Sequence, residues 1–238
     1  MYAQVSSVPF RSFDPAALSV CRGLGRQAGT HVAAIGSVHR VRAGQTVFAE
    51  AEPAENVYEI VSGKVRLCKL LPDGRRQITG FIAAGNILGL ALEGQYLYSA
   101  EAITDVTLCR YPRARFDRLV DEVPGFARRL LSMTSDELRS AQDQMLLLGR
   151  KSASEKIASF LLAMSPHTDS DDEAEEVHLP MARGDIADYL GLTMETVSRT
   201  LTILKHQGLI AIPTPARIQL IDRDRLEEIA AGECGENL

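Results

Sequence analysis

One stretch narrows what this chain can fold into more than any other: residues 179–209, LPMARGDIADYLGLTMETVSRTLTILKHQGL. Ile186, Ala187, Leu190, Val197, Leu201 and Leu204 recur there at helical spacings, the apolar pattern of two amphipathic helices packed together. Gly191 separates them and supplies the left-handed residue that ends a first helix. Thr193 stands where a second helix needs an N-cap. Two short helices across a tight glycine turn predict a helix-turn-helix, whose second helix enters the major groove of DNA.

That second helix carries Glu195, Ser198 and Arg199 at i, i+3 and i+4, on one face and opposite Val197, Leu201 and Leu204. The face lies near the helix N-terminus, the end that reaches base edges in this motif. Arginine grips guanine O6 and N7 bidentately, and glutamate accepts from cytosine N4, so the pair is suited to reading one G·C pair from both strands. The competing reading is a surface salt bridge within one turn. Around the three base readers, Arg183, Thr193, Met194, Thr196 and Lys205 are candidates for backbone or apolar contacts to DNA.

Charge tempers this expectation. The 238 residues carry a formal net charge of −5. Much of it sits in one run, where Asp169, Asp171, Asp172, Glu173, Glu175 and Glu176 come without a base. Residues 177–219 hold four bases (Arg183, Arg199, Lys205, Arg217) against three acids (Asp185, Asp188, Glu195), a balance of +1. So weak a basic footprint predicts modest non-specific binding, with affinity drawn from a dimer's doubled phosphate contacts and from backbone amides. No run of apolar residues is long enough for a membrane span, and no signal-peptide pattern opens the chain, so no membrane partner and a cytoplasmic location are expected. Cys21, Cys68, Cys109 and Cys234 form no C-x-x-C, which fits free thiols better than a disulfide frame or a zinc site.

Taken in order, residues 1–30 have no clean period and read as an irregular arm. Residues 31–123 hold short apolar runs, among them Val41, Val47, Phe48, Val57, Ile60, Val65, Leu67, Ile78, Ile82, Val106 and Leu108. Turn signals divide them at Gly44, Gly63, Asp73-Gly74 and Gly85-Asn86, as in a β-sandwich or barrel, and Asp73-Gly74 marks a hairpin. From Arg113 the pattern turns helical, with Pro124 suited to the first turn of a helix over 124–150. There Ala127, Leu131, Thr134, Leu138, Ala141, Met145 and Leu148 alternate steps of four and three, a narrow heptad seam expected to pair two protomers as a coiled coil. Residues 151–238 open with a capping box, Ser152-x-x-Glu155, before an apolar face of Ile157, Phe160, Leu161 and Met164. An acidic loop over 166–176 should follow. Beyond the reading helix, 210–212 and 218–221 flank Pro213-Thr214-Pro215-Ala216 as a wing hairpin, and 223–231 forms a last helix.

The segment RGDIADYLGLTMETVSRTLTILKHQGLI resembles the helix-turn-helix of the Crp/Fnr transcription regulators, and its E-T-V-S-R run resembles the Fnr/FixK branch. The resemblance covers residues 38–231. It implies an α+β protein: a cyclic-nucleotide-binding-type β jelly roll, a long dimerisation helix and a winged helix-turn-helix. It further implies a homodimer reading a TTGAT-N4-ATCAA site through Glu195, Ser198 and Arg199, activation through RNA polymerase, and target genes of low-oxygen or nitrogen-oxide metabolism.

Two departures from the family pattern shape the expected cofactors. Fnr proteins ligate a four-iron cluster with three closely spaced cysteines in the arm and one central cysteine, matched by Cys109. Here the arm offers only Cys21, while Leu24 and Thr30 stand at partner spacings. Two thiols do not make such a cage, so no cluster is expected and the chain sits with the cluster-free FixK type. Cyclic-AMP binders carry a glutamate for the ribose and an Arg-Ser pair for the phosphate. Here Asn86 stands near the first and Tyr98-Ser99 at the second, so no cyclic nucleotide is expected and Gly85 and Gly89 read as turn glycines. An unidentified ligand in the barrel is the nearest alternative. A cupin-like enzyme is a remoter one, since His31, His39, His167, His178 and His206 form no metal-binding pattern. A scaffolding dimer that no longer reads DNA conflicts with the intact Glu195, Ser198 and Arg199.

Overall fold

The computed structural model describes residues 7–8, 25–90, 94–165 and 175–232. The chain divides into two compact units, Met1–Leu138 and Arg139–Leu238.

The first unit runs β1 (Ser7–Val8), α1 (Gly25–Ile35), β2 (Ser37–Val41), β3 (Thr46–Phe48), β4 (Asn56–Ser62), β5 (Lys64–Leu70), β6 (Arg76–Ala83), β7 (Ile87–Leu88), β8 (Ser99–Ala102), β9 (Val106–Pro112), α2 (Arg113–Glu122) and the first turns of α3 (Phe126–Arg150). Its strands form two antiparallel sheets, β1-β2-β9-β4-β7 and β3-β8-β5-β6. Strand β9 shows how the layers arise. Val106 and Leu108 point to one face and join Val41, Phe48, Ile60, Val65, Leu67 and Ala100 in the core between the sheets. Cys109 and Tyr111 point to the other face and pack with Val32, Phe116, Leu119 and Phe126 of the helices. Alternation therefore feeds two cores at once, and β9 buries residues on both of its faces. The Asp73-Gly74 hairpin forms as expected between β5 and β6, with Gly74 at φ 83 and the Leu71 N–H donating to the Arg75 carbonyl at 2.8 Å.

Two expectations are corrected in this unit. The irregular arm over 1–30 ends early, because α1 begins at Gly25 and Ser7–Val8 pairs with β2. Val32, fully buried against Val38 and Phe116, anchors α1 by tertiary packing that outweighs the poor helix propensity of its glycines. The rest of the arm, with Cys21, lies outside the described residues. Pro124 does not open the long helix. It precedes Gly125, at φ 84, and the Phe126 N–H donates to the Val123 carbonyl at 3.1 Å. That is a type II turn between α2 and α3, with proline and glycine at its two central positions.

The second unit holds the remaining turns of α3, then α4 (Ala153–Met164), β10 (Glu175–His178), α5 (Arg183–Leu190), α6 (Met194–His206), β11 (Ile210–Thr214), β12 (Arg217–Leu220) and α7 (Arg223–Ala231). The predicted capping box opens α4: the Glu155 N–H donates to Ser152 Oγ at 3.4 Å and the Ser152 N–H to Glu155 Oε2 at 3.0 Å. Ile157, Phe160 and Leu161 of α4, Ile186 and Leu190 of α5, Val197, Leu201 and Leu204 of α6, and Leu226 and Ile229 of α7 are buried together with Ile218 and Leu220 of β12. The expected acidic loop gives way to strand at Glu175, where β10 adds a third strand to the wing in the order β10-β12-β11. Fully buried Val177 fixes β10, and its acids are matched across the sheet and beyond it: Glu176 pairs with Arg217 at 3.4 Å and Glu175 with Arg223. The wing hairpin is tighter than expected, since β11 continues through Thr214 and leaves Pro215-Ala216 as the turn. Cys234 lies outside the described residues. Among the described residues no helix is long and apolar enough to cross a membrane.

Candidate nucleic-acid interface

Helix α5 begins at a residue without a capping side chain, and buried Asp185 reaches back instead, its Oδ2 accepting from the Ala182 N–H at 3.3 Å. It ends at Gly191, at φ 62 and ψ 40, where only glycine sits without strain. Thr193 then caps α6, its Oγ1 accepting from the Thr196 N–H at 3.1 Å and lying 3.0 Å from Thr196 Oγ1. Both threonine hydroxyls are thereby engaged at the cap. Val197, Thr200, Leu201 and Leu204 turn inward.

The outward face of α6 brings together the three candidate base readers anticipated from spacing. Glu195, Ser198 and Arg199 are all exposed. The salt bridge that would have explained them away is not made, and Glu195 and Arg199 have no ion pair among the described residues. Met194, 52% exposed, stands beside them as a large apolar side chain at the helix start. Thr202, which sequence reasoning passed over, extends this face by one turn, though its Oγ1 donates to the Ser198 carbonyl at 2.9 Å. The signal was available, because Thr202 is i+4 from Ser198. Lys205 is exposed in the last turn of α6, roughly 15 Å along the axis from Glu195 at the rise of an α-helix, so it belongs to the far end of the surface. Arg183 is half-buried on α5 and its Nη1 is buried without a hydrogen-bond partner. Desolvation lowers its pKa. With Arg217 paired to Glu176, Arg199 and Lys205 are the two exposed cations of 177–219 with no ion pair among the described residues.

On α3, six of the seven seam residues are exposed. Leu131 is 67%, Leu138 59% and Met145 70% exposed, with Ala127, Thr134 and Ala141 between them. A neighbouring side of the helix is the one its own unit covers, through Leu130 and Met133 in the first unit and Leu147 in the second. Leu148 departs from the seam. It is half-buried, and its Cδ2 lies 3.4 Å from where a Cβ on Gly191 would stand, so it packs on the helix-turn-helix turn.

In the β unit, the three positions that would hold a cyclic nucleotide are engaged otherwise. Asn86 Nδ2 donates to the Ala83 carbonyl at 3.2 Å. Ser99 Oγ accepts from the Glu50 N–H at 2.9 Å. Tyr98 brings no charge, and its hydroxyl is pushed up to about 12, chiefly by burial. These residues do not make a charged phosphate cradle. Gly85 and Gly89 have the positive φ of turn glycines, 92 and 78. Cys109 is fully buried between sheet and helices, and Cys68 is buried as well. No cluster of three metal-ligating side chains occurs among the described residues.

Residues 38–123 match the cyclic nucleotide-binding domain, and residues 155–229 the Crp-like helix-turn-helix domain. The chain is 48% identical over 189 residues to the nitrogen fixation regulation protein FixK of Bradyrhizobium diazoefficiens, covering 79% of each chain. The chain belongs to the Crp/Fnr family of transcription regulators. It is 42% identical over 215 residues to the transcriptional activatory protein AadR of Rhodopseudomonas palustris, covering 90% of each. The structure of FixK2 from Bradyrhizobium japonicum matches it with a TM-score of 0.76 at 42% identity, over 82% of this chain and 97% of that one. The expected α+β fold, with its cyclic-nucleotide-binding-type β domain and C-terminal helix-turn-helix, is therefore the family fold. The protein is a FixK-like, DNA-binding regulator of transcription and not an enzyme.

Proposed function

We propose that this regulator is a cytoplasmic homodimeric activator that reads a TTGAT-N4-ATCAA-type palindrome and controls genes of low-oxygen or nitrogen-oxide metabolism. The observation that carries the reading is the outward face of α6, where Glu195, Ser198 and Arg199 stand exposed beside Met194, the two charges without an ion pair among the described residues. Arg199 takes guanine O6 and N7, and Glu195 takes N4 of the paired cytosine. Arg183, Thr193, Thr196 and Lys205 serve the backbone or groove edge. The exposed stripe of Leu131, Leu138 and Met145 supports assembly, because a two-fold pair along α3 covers it. Such a dimer sets two reading helices about 34 Å apart, one turn of DNA.

Activation and a contact to RNA polymerase follow the family, as does the metabolic role. FixK of Bradyrhizobium diazoefficiens is named for nitrogen fixation and AadR as an activator. Fluorescence anisotropy on the palindrome and on probes changed at the G·C pair tests the reading. Preference for the palindrome is expected, and equal affinity for all probes would refute it.

A further inference from the structure

The last turns of α3 carry the exposed stripe on one side and a covered strip beside it. Over residues 141–150 only Gln144, Leu147 and Leu148 are covered, at i, i+3 and i+4, so they share one face. Gln144 is the one polar side chain among them, and its Nε2 donates to the Tyr189 carbonyl at 2.8 Å. Tyr189 is the last residue but one of α5, in the final turn, whose carbonyls have no partner within the helix. The Ala187 carbonyl of that turn accepts from the N–H groups of Gly191 and Leu192, the latter at 3.0 Å. Gln144 serves the Tyr189 carbonyl from a different helix. One turn further along α3, Leu148 reaches the same bend: a Cβ added at Gly191 would stand 3.4 Å from its Cδ2. The Tyr189 ring lies 5.8 Å from that of buried Phe160 on α4, so the residue that Gln144 holds is itself seated.

These contacts bear on the start of α6. Gly191 and Leu192 lead directly into Thr193, the N-cap of the helix that carries Glu195, Ser198 and Arg199. On α3 the same turns carry Ala141 and Met145 of the exposed stripe, and Met145 is next in sequence to Gln144. Stripe and turn are therefore joined across the width of one helix, by a directional hydrogen bond and an apolar contact. Leu148 continues the four-three spacing of the stripe yet packs within its own protomer, so the stripe ends where the turn begins.

We propose that Gln144 and Leu148 are positioning residues that fix the spacer length of the DNA site. The inference rests on the palindrome and the dimer proposed above. Adding or removing one base pair between the half-sites shifts them by about 3.4 Å and turns them by roughly 35° about the DNA axis. A reading helix held to the dimer helix does not follow that displacement, so the N4 spacer is accepted and N3 and N5 are refused. Arg199 and Glu195 choose the sequence of each half-site, and the joint at Gln144 and Leu148 chooses the distance between them.

Anisotropy titrations of the full-length protein on the palindrome with N3, N4 and N5 spacers, and on a lone half-site, test this. The wild type is expected to prefer N4. Gln144→Leu keeps most of the side-chain bulk and removes the donor. It should narrow that preference by about 3- to 10-fold through weaker binding of the N4 probe, with half-site affinity and sedimentation of the dimer unchanged. Gln144→Lys should restore the preference, because its ammonium donates to the same carbonyl and suits the C-terminal end of α5. Hydrogen exchange without DNA reads the same joint: amides over 188–193 should exchange faster in Gln144→Leu and return toward wild type in Gln144→Lys. Equal losses on every probe, an intact N4 preference in Gln144→Leu, or unaltered exchange over 188–193 overturns the inference. A wild type that reads the G·C pair but binds all three spacers alike overturns it too, whereas one that ignores the G·C pair defeats the palindrome itself and the spacer rule with it.

Discussion

Leu138→Glu tests the assembly most directly. Leu131, Leu138 and Met145 are 67%, 59% and 70% exposed on α3. Burying a whole side chain of this kind is worth ~1.5–3 kcal/mol, so covering what each leaves exposed contributes ~1–2 kcal/mol, or roughly 6–12 kcal/mol over both protomers. The cost of association, about 4–15 kcal/mol, is of the same size, so the dimer has little to spare. Removing both copies of Leu138 forfeits ~2–4 kcal/mol, which weakens the dimer roughly 30- to 1,000-fold. Two carboxylates facing each other at a two-fold seam add to that loss. Light scattering and sedimentation at micromolar concentration should find Leu138→Glu monomeric, with its helical signal kept. Leu146→Glu is the control, because Leu146 is 63% exposed but lies one position past the seam, and its dimer should hold. An unchanged dimer in Leu138→Glu, or equal losses in both variants, would show that the stripe is not the interface.

Arg199→Ala should cost ~1–3 kcal/mol per half-site, twice over in a dimer, and only on probes that keep the G·C pair; retained preference for that pair in anisotropy titrations would place the reading helix in the wrong register. Glu195→Ala should lose specificity while non-specific affinity holds or rises, since a negative charge beside phosphates is removed, and a uniform loss on all sequences would contradict its role. Thr193→Ala deletes the cap on α6 and should cost ~1 kcal/mol in thermal or urea unfolding, and no measurable change would argue that the bond to the Thr196 N–H contributes nothing. Burial and the nearby Arg110 charge hold His39 below its ordinary 6.5, so it stays neutral in the folded chain while the unfolded chain takes up a proton. Its contribution is therefore complete above 6.5 and is lost as pH falls toward the lower folded value. His39→Gln should flatten the fall in stability over that window, and an unaltered slope would assign the effect elsewhere.

What the sequence disclosed and what it withheld divide along a physical line. Signals carried within one turn or one helix were legible. Gly191 and Thr193 fix the ends of α5 and α6 by local backbone demands, and the i, i+3, i+4 step from Glu195 fixes a shared face whatever the rest of the chain does. The heptad seam was legible for a sharper reason. Leu131, Leu138 and Met145 stay mostly exposed on their own protomer, so the spacing stands out from the covered side of the helix. Elements that depend on distant partners stayed hidden. β10 looks like acidic loop because only Val177 enters the core, while Arg217 and Arg223, some forty residues on, decide where its glutamates go. α1 is helical because Val32 meets Phe116, a contact no local pattern encodes. The same limit applies to the β domain's ligand site. Comparing positions showed what Asn86, Tyr98 and Ser99 lack for gripping a phosphate, but not what they do instead. Tyr96 drew no notice in the sequence for the same reason, since its partners fall in two distant stretches, Phe48, Ala51, Glu52 and Asn56 in one and Gly89 in the other. A missing motif says what a position lacks, and only the packing shows what the position does instead.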